Sequence, residues 1–152
     1  MATFDLDRST LSVFHGRLSR LTPETPRQWG TMDLPLMLRH LTFAVEMSLG
    51  EQAVPDRSVP LVRDLLFAFA FRWFTNWPKG RLKAPAYTVP PPQGDVDAER
   101  AALVDRMWRF VDLLEREPDR RAMSPGLGAI PLTKWSRVHG VHFDHHLRQF
   151  GV

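Results

Sequence analysis

In four stretches of this 152-residue chain, apolar side chains recur every three or four positions, and no stretch alternates them convincingly with polar ones. A period near 3.6 buries one face of a helix, so the chain is expected to fold by packing helices together. The first stretch runs from about Ser9 to Leu21, with Leu11, Phe14, Leu18 and Leu21 as its stripe and Thr22-Pro23-Glu24-Thr25-Pro26 as its end. The second spans about Leu34 to Leu49. Asp33 is its expected N-cap, Pro35 fits the first turn, and Gly50 is a natural stop. Its stripe is Met37, Leu41, Ala44, Val45 and Ser48. The third runs from about Val96 to Glu117, with Val104, Met107, Trp108, Val111 and Leu114 inward and Pro118 as its stop. The last runs from about Leu132 to Phe150.

Two other segments interrupt this plan. Val62 to Asn76 is aromatic and reads as a shorter helix ended by Pro78. From Lys79 to Asp95, with Pro85 and the run Pro90-Pro91-Pro92, the chain reads as a loop. Its length suits a lid or a segment wrapped over the surface. Ser124-Pro125-Gly126-Leu127-Gly128 reads as a tight connection. The expected fold is all-α, a single domain over residues 1–152. It is an antiparallel four-helix bundle with an additional short helix and a long Pro-rich loop.

Composition removes several function classes. The chain has no Cys, which excludes disulfides, thiolate metal sites and a cysteine nucleophile. Hydrophobic residues are 43% and charged residues 24%, as in ordinary globular domains. The formal charge of +3 is a small surplus, and neither a recognition motif nor a continuous basic stripe accompanies it, so nucleic acid is not the expected partner. The start of the chain lacks a basic region followed by an apolar one, and the default location is the cytoplasm. Around Leu61 to Trp77, the longest uncharged run is the seven residues Leu65 to Phe71. A span needs about 20, so the segment reads as a buried or interfacial helix and no membrane partner is expected. Its Phe67, Phe69, Phe71, Trp73 and Phe74 fall on more than one face, which predicts a homodimer through this helix. Lys79, Arg81 and Lys83 beside it read as a solvated loop.

The histidines carry the most chemical information. They occupy positions 15, 40, 139, 142, 145 and 146, four of them within eight residues of the last helix. At 100° per residue, His142 and His146 lie about 40° apart, with His139 within about 60° of both. Imidazoles at i and i+4 stand about 6 Å apart, a separation that suits two ligands of one metal ion. His40, on the stripe side of the second helix between Met37 and Ala44, is the natural third ligand. Three neutral imidazoles leave positions open for water or substrate. Taken singly, each feature also has a plainer reading: His40 as a hydrogen-bonded core residue, the helix pair as solvated imidazoles. His15 has no special claim, and His139 either supports a ligand or lies at the mouth of the site.

Other metal and nucleotide patterns are missing. Phe143 follows His142 where a zinc-protease helix has Glu, and no Glu has a His three residues later. Gly-rich phosphate loops and a Ser nucleophile elbow are absent as well.

The run His142-Phe143-Asp144-His145-His146-Leu147-Arg148-Gln149-Phe150-Gly151, preceded by Leu132, Thr133 and Trp135, resembles the end of the DUF1569 family, which belongs to the DinB-like superfamily of four-helix metal-binding proteins. Arg27-Gln28-Trp29-Gly30, Met32 and Met37-Leu38-Arg39-His40-Leu41 are similar to that family's second-helix signature. Ser124-Pro125-Gly126-Leu127-Gly128 resembles its pre-helix turn, with Ser124 where the usual form has His and Leu127 where it has an aromatic. Where that His takes part in the family's chemistry, the resemblance implies that this chain differs. The matched blocks run from about Thr22, with the middle, Gly50 to Pro92, matching only loosely.

The resemblance implies a divalent metal, zinc or nickel, on His40, His142 and His146. It implies that His145 faces away and that Gln149 hydrogen-bonds a ligand or a terminal backbone group. The chemistry it implies is transfer of an external low-molecular-weight thiol, or hydrolysis, on a small-molecule substrate. The alternative is a non-catalytic binding or stress-associated module whose His site is structural or vestigial.

Overall fold

A computed structural model of the chain describes residues 5–73, 76–80 and 84–152, the side chain of Trp73 excepted. Phe74, Arg81 and Lys83, named above from sequence, lie outside the described residues, as do positions 1–4. The described chain is mostly helical: α1 (Leu11–Ser19), α2 (Leu34–Leu49), α3 (Arg63–Phe67), α4 (Val96–Arg116) and α5 (Leu132–Gln149), with a small hairpin of β1 (Arg121–Ser124) and β2 (Gly128–Pro131). Among the described residues no helix is long and apolar enough to cross a membrane.

Helix α2 is the centre of the molecule and packs on α4, α5, β1 and the short turn at Ala86–Thr88. Its limits follow from local chemistry. The Asp33 carboxylate accepts from the Leu36 amide at 3.0 Å, Pro35 occupies the first turn, and Gly50 ends the helix at φ 79°. Every residue from Met37 to Ser48 is buried, so the helix is covered on all sides. Its two charges are therefore paired: Arg39 donates to Glu46 through two bonds of 2.9 and 3.0 Å. Glu46 also accepts from Gln52 at 3.0 Å and has Arg106 3.9 Å away, so it is removal of Glu46 that would strand its partner, at about 3–5 kcal/mol.

In α4 the inward stripe is rotated from the expected one. Leu103, Met107, Phe110 and Val111 are fully buried, Val104 and Leu114 only partly, and Trp108 is 44% exposed. Trp108 sits one residue, about 100°, round the helix from Met107. Its indole lies instead against the Arg8 guanidinium, 5.5 Å away.

The hairpin was not expected. Its strands are four residues each, too short for alternation to stand out, and pair antiparallel with Ala122 opposite Ile130 and Ser124 opposite Gly128. Ala122 and Ile130 face the core, and β2 runs directly into α5. Trp135 of α5 donates its indole N–H to the Ala122 carbonyl at 3.1 Å, fixing the hairpin to the helix.

The aromatic segment is α-helical only over Arg63–Phe67 and is wound as a π-helix over Ala68–Trp73. Phe67 and Phe71 turn inward with ring centroids 5.7 Å apart, while Leu61, Leu65, Leu66 and Phe69 are exposed.

Candidate metal centre

Two helices set the site. The caps of α2 fix the register that turns His40 inward, and the i, i+4 spacing in α5 stacks His142 and His146 on one face. One ring nitrogen from each of the three lies within 4.8 Å of the other two. The Nε2 atoms of His40 and His142 are 2.9 Å apart. Ligand nitrogens at about 2.0–2.1 Å from a tetrahedral ion stand about 3.4 Å from each other, so the rings need only small rotations to converge on one.

Hydrogen bonds fix two of the tautomers. His40 Nδ1 faces the Thr88 carbonyl at 2.6 Å, and a carbonyl only accepts, so Nδ1 carries the proton and Nε2 presents a lone pair. Gln149 donates its amide nitrogen to the Trp29 carbonyl at 2.9 Å, which leaves its oxygen to accept from His146 Nδ1 at 2.8 Å. His146 Nε2 is therefore also free of a proton. Gly30 makes this second arrangement possible. It sits at φ 80°, and a Cβ there would collide with the Gln149 amide nitrogen.

Burial keeps the rings neutral. Desolvation lowers the pKa of His40 against the opposing hydrogen bond to Thr88. It lowers His146 to about 3, helped by His40 and opposed by the Gln149 bond. Desolvation also holds His142 well below its ordinary value, with His40 and His146 adding to it. Metal binding requires the neutral form.

The three rings form one wall of a cavity of about 270 Å³. The rest is mainly apolar: Met32, Ala44, Met47, Phe71, Trp77, Trp135 and Val138, with Ser124 as a polar exception. No Asp, Glu, Lys or Arg side chain lines it among the described residues. Ser124, which stands where the resemblance placed a His, thus faces the same space as the three imidazoles.

One placement differs from expectation, and of the two given for His139 one fails. His145 does not face away: it lines the cavity, its ring 5.5 Å from Trp77 and 5.2 Å from His146. The rotation of about 60° from His142 is too small to carry it off the wall once Trp77 folds over that side. His139 is not at the mouth. It is fully buried beneath the site, stacked on Trp135 at 5.1 Å, with Nε2 2.8 Å from Ser48 Oγ. Ser48 donates to the Val45 carbonyl at 2.7 Å, so His139 Nε2 must donate to Ser48, and its Nδ1 is buried without a partner. His15 is exposed on α1 and takes no part. Thr88 was missed from sequence because it acts through its carbonyl, which any residue offers. The Pro-rich segment holds that carbonyl in place: Pro85 accepts from both the amide and the hydroxyl of Thr88, at 2.8 and 2.7 Å.

No curated protein and no solved structure shows significant similarity to this chain. The family described as "Protein of unknown function (DUF1569)" matches residues 2–151. A match over nearly the whole chain places the protein in that family: it is a member of DUF1569.

Proposed function

We propose that His40, His142 and His146 hold one divalent metal ion, zinc or nickel, in a site that acts on a small neutral molecule. One observation carries this reading: two of the three rings have their proton fixed on Nδ1 by an outward acceptor, so their Nε2 lone pairs point inward with no acid or base to meet them except each other and His142. Outward acceptors on ligating imidazoles are the usual support of a metal site. Three nitrogen ligands without a carboxylate suit a borderline ion such as zinc or nickel over magnesium or calcium. The helical frame is read in the same way, as the antiparallel four-helix arrangement of DinB-like proteins. Contacts of α2 with α4 and α5, and of α1 with the same two helices, support it.

When bound, the ion supplies Lewis acidity that lowers the pKa of a water or thiol entering its open position. The chain itself does the rest. Trp77, Phe71, Met47 and Val138 exclude water and pack the apolar part of a substrate. Ser124 offers one hydroxyl for orientation. His145 is the one lining imidazole outside the triad, and it is placed to accept the proton released by a thiol or water. Its pKa is lowered by burial and by Arg148, so it passes that proton on readily. The thiol is external, because the chain has no Cys. The chemistry proposed is transfer of a low-molecular-weight thiol to a small electrophile, or its hydrolytic counterpart.

A second reading has its own observation. His142 Nε2–H can donate directly to His40 Nε2 across 2.9 Å, which pairs these two nitrogens with no ion between them. The site would then be structural or vestigial, in a non-catalytic binding module. Elemental analysis of untagged protein separates the two. About one zinc or nickel per chain, absent from His142→Ala/His146→Ala, supports the metal site. A metal-free protein that stays so after loading supports the hydrogen-bonded pair.

A further inference from the structure

The outer face of the segment from Arg57 to Arg72 is built against the usual rule. A surface helix turns one apolar stripe inward and a polar face outward. Here Phe67 and Phe71 already supply the inward stripe, packed against the core. Yet Leu61 is 96% exposed and Leu65 64%, four residues apart, with Leu66 and Phe69 exposed beside them. An element that turns large apolar side chains outward as well as inward is one that something covers.

Charge indicates what covers it. Residues 57–80 contain Arg57, Arg63, Arg72 and Lys79 against one acid, Asp64, a surplus of three; the whole chain's formal charge is also +3, so the remaining residues cancel. Asp64 is itself taken up by Lys134 at 3.2 Å. Arg57, Arg72 and Lys79 are exposed, and none of them is in an ion pair among the described residues. A surplus equal to the whole chain's thus falls in the segment that carries this exposed apolar strip, with Arg57 resting over the Tyr87 ring at 4.9 Å and Lys79 over Trp29 at 4.6 Å.

We infer that this segment docks on an anionic lipid surface, with Leu61, Leu65 and their neighbours entering the interface and the Arg and Lys side chains meeting the headgroups. A strip of this composition lies in the plane of a bilayer without crossing it. A second copy of the chain fits less well. A two-fold contact sets the same patch against itself, which brings the cationic surplus against an equal one. Nucleic acid would satisfy the cations and leave the leucines against water. This inference is independent of the metal site.

The test is co-sedimentation of the full chain with vesicles of phosphatidylcholine and phosphatidylglycerol at about 3:1. Binding to these vesicles is expected, with little to pure phosphatidylcholine and a marked loss in high salt. Leu61→Glu/Leu65→Glu should abolish binding while circular dichroism and Tm stay unchanged, because both side chains stand in solvent. Arg72→Ala should weaken it about fivefold. No sedimentation with the mixed vesicles, or full binding by the leucine double variant, overturns the inference. So does a dimer that the double variant splits without any vesicle binding, which would assign the face to a second copy. Salt-sensitive binding of duplex DNA in place of vesicles overturns it as well.

Discussion

His139 and His146 stand two turns apart on α5, and both are withdrawn from water, yet their surroundings ask different things of them. His139 is sealed: Trp135 stacks on it, Phe110 meets it edge-on at 4.7 Å, and Ser48 takes its one proton. Its remaining nitrogen meets nothing. His146 is buried too, but its Nδ1 proton is drawn outward by Gln149 and its other nitrogen faces two more imidazoles and a cavity. Burial alone therefore does not make a site. What separates the two is where the proton is held, and whether the free lone pair has other lone pairs and open space before it.

That contrast can be broken most strongly at the sealed end. His139→Ala would empty a ring-sized volume from the core and leave Ser48 without its donor. We expect a loss of about 3–5 kcal/mol in denaturant unfolding, with metal affinity unchanged in the surviving folded protein. His142→Ala should do the reverse, abolishing metal binding at little cost to the metal-free fold, because this ring stands half-buried at the cavity wall. Equal effects of both variants on metal binding would erase the distinction.

Smaller changes sharpen it. Gln149→Leu removes the acceptor that fixes the His146 tautomer, and metal affinity should fall about 10–100-fold in calorimetric titration. Gly30→Ala reaches the same ring from further away, by pushing the Gln149 amide off the Trp29 carbonyl and straining a φ of 80°. Its expected cost is about 1–2 kcal/mol in stability, together with a loss of metal affinity smaller than that of Gln149→Leu.

The pH dependence divides along the same line. His139 and His146 each titrate at about 3 in the folded protein, through desolvation, against about 6.5 when unfolded. Above 6.5 neither state takes up protons and stability is flat. Between 6.5 and 3 only the unfolded chain does, so stability should fall with falling pH by about 1.4 kcal/mol per unit for each such ring. His139→Leu should remove one ring's share of that slope, as read by urea unfolding across this range. Zinc should raise stability without changing the slope between 6.5 and 3, where folded His146 already holds no second proton, and should carry the share of His146 further below 3 while leaving that of His139 untouched.

Much of the frame is legible in the sequence because caps and stripes act locally. Asp33, Pro35 and Gly50 give the limits of α2, and the spacing of His142 and His146 sets both on one face of α5. The expected stripe of α4 shares Met107 and Val111 with the observed one and departs at Trp108, which counts as apolar by composition while its ring suits a guanidinium at the surface equally well. Depth was not legible either. Nothing in the spacing of His139 distinguishes a sealed ring from one at the mouth, since that depends on Trp135 and Ser48 arriving from other parts of the chain. The support given by Thr88 left no mark at all, because it is made by backbone.

The most direct test of the central claim is a cobalt(II) titration of the untagged, metal-free chain, followed through the visible d–d bands. Saturation at about one equivalent, bands that shift when a small thiol is added, and no such bands in His142→Ala would be the behaviour of a three-imidazole site with an open position. A titration in which no saturable band appears, or one that His142→Ala reproduces unchanged, would contradict the account and leave His40 and His142 as a hydrogen-bonded pair.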